Sequence, residues 1–289
     1  MNYRVSHVTT YHYEELASVC HNELRLSPRA GSHQRPRRTQ LRIDPTPSAL
    51  VPQLDFFGNQ VHFVTLQEPH RQLVITAKSD VEVTPAAPPD ATPAWDGIRD
   101  RLRHGGGPEA LDAYQFVFES PHVTLDDDLL AYAAPSFPAG HAILDGVCHL
   151  TRRIYAEFAY DQSATTVATP VADVLRERRG VCQDFAHLEI ACLRALGLAA
   201  RYVSGYILTT PPAGTPRLVG ADASHAWLAV WLGDDGWVDV DPTNDQLPSD
   251  QHITVAWGRD YGDVSPLRGV VLGGGAHRMT VAVDVTPLE

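Results

Sequence analysis

No apolar run in this sequence approaches the roughly 18 residues that a membrane span requires, and residues 1–15 alternate polar with apolar, without the apolar centre of a secretory signal. The reading is therefore a cytoplasmic chain with no membrane partner. Cysteine is scarce: Cys20, Cys148, Cys182 and Cys192 stand far apart, with neither a CxxC pair nor metal-ligand spacing. In a chain without a secretory signal, reduced thiols are expected in place of disulfides. The 14 histidines include no HExxH or paired spacing, so no metal and no cofactor are expected. Positive charge is also short, with 23 Lys and Arg against 35 Asp and Glu, a net charge of −12. Such a surface repels phosphate backbones, which argues against nucleic acid as a partner. The one basic run, Arg35, Arg37 and Arg38, reads as a solvated loop. Internal repeats and low-complexity tracts are absent.

What is present is ordinary for a folded enzyme. A hydrophobic fraction of 44% and a charged fraction of 20% support a sizeable core, and 289 residues suit two domains. Residues 1–84 read as short strands. Tyr3, Val5 and His7 alternate with Arg4, Ser6 and Val8; Leu24 and Leu26 flank Arg25; Leu41 and Ile43 flank Arg42. Two apolar runs around Gly58-Asn59 form a hairpin signal, because glycine supplies the positive φ of a tight turn. Further strands follow at Leu73 to Ala77 and through Val81 and Val83, and the whole is expected to be a small β-sandwich. Pro85, Pro88, Pro89 and Pro93 then break every pattern, so 85–95 reads as a linker. Residues 96–289 form the second domain, with helices first and strands after, an α+β arrangement.

Within it, Ile143, Val147, Leu150, Ile154 and Phe158 share one helical face. Thr169-Pro170 opens another helix, and Gly180 ends it. A third runs from about Cys182 to Leu196 and stops at Gly197. It is apolar nearly all round and so is expected at the centre of the domain. Strands are expected at 201–209, 224–232, 236–241, 269–272 and 278–286.

Cys182 stands at the first turn of that buried helix. Free N–H groups and the positive end of the helix dipole favour thiolate there and can hold an oxyanion. A free cysteine is more often a small buried filler, so the position alone does not decide. Downstream, Ser224-His225-Ala226-Trp227 begins a strand and Trp237-Val238-Asp239-Val240-Asp241 ends the next. Antiparallel pairing brings His225 towards Asp241, which would orient the imidazole while it takes the thiol proton. An even loop would set Asp241 opposite Leu228, facing away from His225. An odd loop, with Gly233 or Gly236 at positive φ, or a bulge, is therefore required.

Gly-Val-Cys-Gln-Asp-Phe-Ala at 180–186, His-Ala-Trp at 225–227 and Trp-Val-Asp-Val-Asp-Pro-Thr at 237–243, in that order, resemble the core of the transglutaminase-like superfamily. The resemblance extends from roughly Gly97 to the C-terminus. It implies a papain-like fold, a central helix packed on an antiparallel sheet, with Cys182 as nucleophile, His225 as general base and acid, and Asp241 as orienting carboxylate. The first domain resembles the N-terminal region of bacterial members, chiefly through Asp55-Phe56-Phe57-Gly58-Asn59. The chain departs from the calcium-dependent animal transglutaminases. It lacks their extra β-domains, and Asp126, Asp127 and Asp128 suit a helix N-terminus better than an ion cage.

The function implied is a cysteine-dependent hydrolase of a peptide or protein amide, working through an acyl-enzyme. A transamidase is the alternative, since the family does not specify whether water or an amine accepts the acyl group. A non-catalytic binding module would be favoured by a missing triad member, and all three are present. Gln183 and Asp184 could shape the oxyanion site or hold the helix start, and Trp227 could wall the site or pack in the core. Tyr202 and Tyr206 could line a cleft. His187 sits one and a half turns beyond Cys182 and is not expected to reach it. Thr210 to Pro216, rich in proline, reads as a loop near the site.

Overall fold

The computed structural model describes residues 1–209 and 224–288, so the proline-rich loop expected at 210–216 lies outside the described residues. The first part of the chain is all strand: β1 (Asn2–Leu24), β2 (Gln34–Asp44), β3 (Ala49–Leu54), β4 (Gln60–Leu66) and β5 (His70–Val83). After the proline-rich segment come α1 (Trp95–His104), α2 (Pro108–Tyr114), α3 (Asp127–Ala133) and α4 (Ile143–Glu157). The two-residue strands β6 (Ala159–Tyr160) and β7 (Arg179–Gly180) bracket α5 (Val171–Glu177). The central helix α6 (Cys182–Ala195) is followed by β8 (Ala200–Ile207), β9 (Ser224–Trp231), β10 (Trp237–Val240), β11 (His252–Gly258) and the short α7 (Tyr261–Val264). The chain closes with β12 (Leu267–Gly273) and β13 (His277–Leu288).

β1 is the spine of a seven-stranded antiparallel sheet. Its two ends pair on one flank with β5 and β4 and on the other with β13 and β12. All these ribbons break at a common level. β1 is irregular between His12 and Ala17, β4 gives way to β5 at 67–69, and β12 gives way to β13 through Gly273, Gly274 and Gly275 at positive φ. Leu24, Val64 and Leu66 from one side of that level share a core with Ile43, Leu73 and Ile75 from the other. The two layers expected of a β-sandwich are thus two halves of one folded sheet. From Leu73 onward, strand alternation turns the odd residues of β5 inward. At the far end of the same face, Val81 and Val83 join Tyr3, Val5, Val283 and Val285 in the core of the second unit.

Two sequence readings are corrected here. Residues 267–288 were expected in the second domain, but β12 and β13 pair with β1 and complete the first sheet. The Arg35, Arg37, Arg38 run is not a loop; it lies on β2, the sheet's outer strand, where Arg37 meets Glu82.

In the second unit a four-stranded antiparallel sheet, ordered β10-β9-β8-β11, carries α6. Every residue of α6 from Asp184 to Arg194 is buried, as befits a central helix, the polar Asp184, His187, Glu189 and Arg194 included. The helix stops at Gly197, whose φ of 82° closes the turn. Asp126 caps α3, its Oδ1 accepting Leu129 N–H at 2.8 Å, as the three adjacent aspartates imply.

β11 is the outer strand of that sheet, and the first unit seals it. The Gln34 amide donates to Thr254 O at 2.7 Å and accepts Thr254 N–H at 2.8 Å. Asn59 does the same for Trp257, at 2.9 and 3.0 Å. Two side-chain amides thus stand in for a neighbouring strand and satisfy groups that would otherwise be orphaned. The Asp55–Asn59 turn exists to aim one of them. Asp55 Oδ1 accepts Phe57 N–H and Asn59 N–H, its Oδ2 accepts the Asn59 amide, and Gly58 takes φ 72°.

Candidate active site

α6 begins abruptly. Asp184, its third residue, turns back so that Oδ2 accepts the N–H of Val181 at 2.8 Å and the Thr165 hydroxyl at 2.5 Å. Gly180 leaves room for that carboxylate, since a β-carbon there would stand 2.8 Å from Asp184 Oδ2. α5 therefore ends earlier than expected, at Arg178 with φ 55°, and Gly180 serves the next helix instead. The outcome is a half-buried Cys182 at the first position of α6, beside the helix's unpaired N–H groups. Asp184 holds the helix start, and Gln183 is half-buried next to the cysteine.

The β9–β10 hairpin has the odd register that the chemistry requires. Trp237 pairs with Trp231 and Val240 with Leu228 around a turn at Gly233–Asp235, with Gly233 at φ 82° and Gly236 at φ 72°. Continuing that register sets Asp241 opposite Trp227, on the face His225 uses. His225 Nε2 lies 2.8 Å from Asp241 Oδ2, with His225 7% exposed and Asp241 fully buried.

Asp241 is more heavily engaged than the sequence revealed. Its Oδ2 also receives His252 Nε2 at 3.0 Å and Asn244 Nδ2 at 2.7 Å, and its Oδ1 accepts Thr243 N–H at 3.0 Å. Burial alone would raise its carboxyl, but the bonds from His225, His252 and Asn244 outweigh it and hold the group well below the usual carboxylate range. Burial likewise disfavours the His225 imidazolium. The hydrogen bonds to the Asp241 carboxylate and the Cys182 thiolate, with their Coulombic attraction, overcome it and raise the imidazole to about 10. An ionised carboxylate only accepts, so both Nε2 atoms carry protons. That leaves His225 Nδ1 for the thiol.

His252 and Asn244 were not foreseen. His252 opens a strand that the sequence reading missed, and a lone histidine in a strand carries no local signal. Trp227 packs in the core beneath the pair: fully buried with Val203 and Ala229, it donates Nε1–H to Asp239 Oδ2 at 3.0 Å and lies 5.9 Å from His225 and 5.1 Å from His252 between ring centroids. It crosses Gly205, where a β-carbon would come within 2.5 Å of the indole. Tyr202 and Tyr206 do not line a cleft. Both are buried, Tyr202 against His187 and Tyr206 with its hydroxyl 3.0 Å from His7 Nδ1. His187 accepts Tyr261 N–H at 3.1 Å, and burial lowers its imidazole to about 3, so it is a neutral structural acceptor.

His225, Asp241 and His252 are also the one group among the described residues whose atoms gather closely enough to ligate a metal. The two nitrogens stand 2.8 and 3.0 Å from a single carboxylate oxygen. Two ligands about 2.0–2.1 Å from a tetrahedral ion stand about 3.3 Å apart. The spacing fits charge-assisted hydrogen bonds instead. No described helix is long and apolar enough to cross a membrane.

Comparison with known proteins finds two family profiles. Residues 3–82 match the bacterial transglutaminase-like N-terminal region, and residues 134–242 match the transglutaminase-like superfamily. An uncharacterized protein of Mycobacterium tuberculosis (strain H37Rv) is 41% identical over 297 residues, covering 99% of this chain and 93% of that protein. One from Mycobacterium leprae is 33% identical over 285 residues, covering 99% and 98%. A protein-glutamine gamma-glutamyltransferase of Pseudomonas aeruginosa is 38% identical over 102 residues, 34% of this chain and 15% of that protein. A crystal structure from Cytophaga hutchinsonii, provisionally described as a cysteine protease, superposes with a TM-score of 0.76 at 21% identity, covering 100% of this chain and 91% of that one. At that identity the likeness speaks to the fold.

Proposed function

This chain belongs to the transglutaminase-like superfamily, and from that membership we propose that it is a cysteine-dependent amide-bond hydrolase, a peptidase or amidase working through an acyl-enzyme. One observation carries the reading: a half-buried cysteine at a helix start beside a buried His225–Asp241 pair. His225 Nδ1 takes the Cys182 proton, and the thiolate attacks the amide carbonyl. The free N–H groups of the first turn of α6, with Gln183 beside them, receive the oxyanion. His225 then returns the proton to the leaving amine. In the second half it draws a proton from water, which attacks the thioester and releases the acid. Asp241 keeps the ring oriented and supports its charge throughout.

Water is favoured as acceptor because the thiol is only half-buried among the described residues, whereas transfer to an amine calls for a site that excludes water. Transamidation is the second reading, favoured by the gamma-glutamyltransferase that matches over part of the chain. All four cysteines are free thiols, which supports a cytoplasmic setting.

Two measurements test the proposal. Iodoacetamide at pH 6 should label Cys182 far faster than Cys20, Cys148 or Cys192, whose thiols burial pushes up. Equal labelling of all four removes the nucleophile. Incubation with a glutamine peptide and excess primary amine should then yield mainly the hydrolysed peptide, with turnover lost in Cys182→Ala and reduced about 10²–10⁴-fold in His225→Gln. Predominance of the amidated product would replace the hydrolase with the transamidase.

A further inference from the structure

Among the described residues, β2, β3 and β12 each pair with one neighbour only in the seven-stranded sheet. A strand with one bare side invites pairing with another chain, and proteins blunt such edges with proline, charge or bulges. β2 carries Pro36, four arginines and an irregular register at Pro36/Arg38, and β3 carries Pro52. β12 has no proline and one charge, Arg268. Its Val270 and Leu272 are 65% and 57% exposed. Arg25 N–H donates to Pro266 O at the start of the β1–β12 ladder. Alternation from there turns the backbone groups of Arg268 and Val270 to β1 and those of Gly269 and Val271 to the bare side. The charges near this edge are asymmetric. Arg268 is exposed and forms no ion pair among the described residues, and Glu23 opposite it is bound to Arg25. Beyond the other end of β12 lie the exposed Glu14 and Glu15. Glu15 N–H donates to Gly274 O, and a β-carbon on Gly275 would stand 3.2 Å from the Glu15 Cγ. The edge is thus positive at one end, apolar in the middle and negative at the other, so its antiparallel complement is itself.

We propose that a second copy of this chain docks edge to edge on β12, antiparallel about a two-fold axis through Val271. Val271 then meets its own counterpart, with its outward N–H and C=O groups exchanging two hydrogen bonds across the axis. Val270 stands opposite Leu272, and opposite residues share a face, so these side chains from both copies gather into one apolar cluster. Arg268 stands opposite Gly274, beside Glu14 and Glu15 of the second copy, and the two-fold axis makes that contact twice. An axis through Val270 would instead set Arg268 against Leu272 and lose both matches. The ladder runs only from Gly269 to Gly273, a small contact, so the dimer is a weak one. It is independent of the catalytic reading above.

Sedimentation velocity on the full chain should show monomer below about 1 μM and mostly dimer above about 100 μM, the range a small contact supports. Val270→Lys changes an exposed side chain, so its melting temperature should hold while its dissociation constant rises at least about tenfold. Arg268→Glu should weaken the dimer as well. Adding Glu14→Arg and Glu15→Arg to that variant should restore it, which a purely apolar contact would not do. Cross-linking with a short bismaleimide in a Cys182→Ala background reads the register. Val270→Cys should join two copies, its counterparts lying about 8 Å apart, whereas Arg268→Cys should not, at about 20 Å. A chain that stays monomeric up to about 1 mM overturns the proposal, whatever other protein covers this edge. A dimer equally strong in Val270→Lys and Arg268→Glu uses another face and overturns it too, as does joining at 268 in preference to 270.

Discussion

A single buried carboxyl in the central helix shows how much the site's surroundings weigh on ordinary titration. Glu189 is wholly buried, accepts the Thr151 hydroxyl at Oε1 (2.8 Å) and leaves Oε2 without a partner. Burial raises it to about 8, against 4.5 in an unfolded chain, so the native protein holds a proton there at neutral pH that the unfolded chain has lost. A group whose native pKa is raised costs stability as pH climbs from the unfolded value to the folded one. Glu189→Gln keeps the shape and the Thr151 bond while removing this titration. Its melting temperature should therefore exceed that of the unmodified protein by an amount that grows between about pH 4.5 and pH 8 and then levels off. Melting curves across that range check it; a constant difference would mean that Glu189 is ionised in the fold. His225 and Asp241 work the other way as a pair. The raised imidazole adds stability below pH 6.5 that is lost as pH rises through about 10. The depressed carboxyl adds stability above 3.8 that is lost as pH falls.

Among the elements, β11 depends most on something outside its own sheet. Its outer edge is closed by two amides, and Asn59 is the more committed of them, fully buried and bonded to Trp257, Asp55 and Arg29. Asn59→Ala would strand the Trp257 N–H and C=O and an arginine donor together. Leaving a buried group unpaired costs about 1–3 kcal/mol, so the variant should lose roughly 3 kcal/mol, or about 6 °C or more in Tm for a chain of this size. Asn59→Asp offers the acceptor but not the donor and should fall between the two. Melting by circular dichroism decides. A change under about 1 °C would mean that water closes the edge as well as the amide does. The same strand carries His252 to Asp241, so the Asn59→Ala protein should also label more slowly at Cys182.

At the scale of the whole molecule, the two ends of the chain are sewn into one sheet. β1 pairs with β13 from Asn2↔Leu288 to Tyr13↔His277 and with β12 from Ala17↔Gly273 to Leu24↔Leu267. Removing residues 267–288 would bare that whole flank of β1 and take Val283 and Val285 from the core shared with the second unit. The first unit should then fail to fold alone. Residues 1–95 as a separate fragment should likewise give no cooperative thermal transition, because a sheet missing one flank cannot bury its inner face. A cooperative melt of either truncated protein would refute this interdependence.

The features legible in the sequence were those that local chemistry writes. The run of apolar residues between Cys182 and Gly197 set the length and burial of α6, since the 3.6-residue period and a C-terminal glycine both lie within one window. The demand that His225 and Asp241 share a face required an odd loop or a bulge, because strand parity is arithmetic; of these the fold adopts the odd turn at Gly233–Asp235. Other features were decided only by the tertiary structure. β12 and β13 return to β1 across more than 200 residues of chain, and no local pattern encodes which distant strand a segment will pair with. The outer edge of β11 is completed by Gln34 and Asn59, whose side chains mean nothing until that edge lies beside them. His252 reaches Asp241 for the same reason. Its neighbours in sequence describe a short strand, and only the pairing of β11 with β8 carries its ring to the carboxylate that His225 already holds.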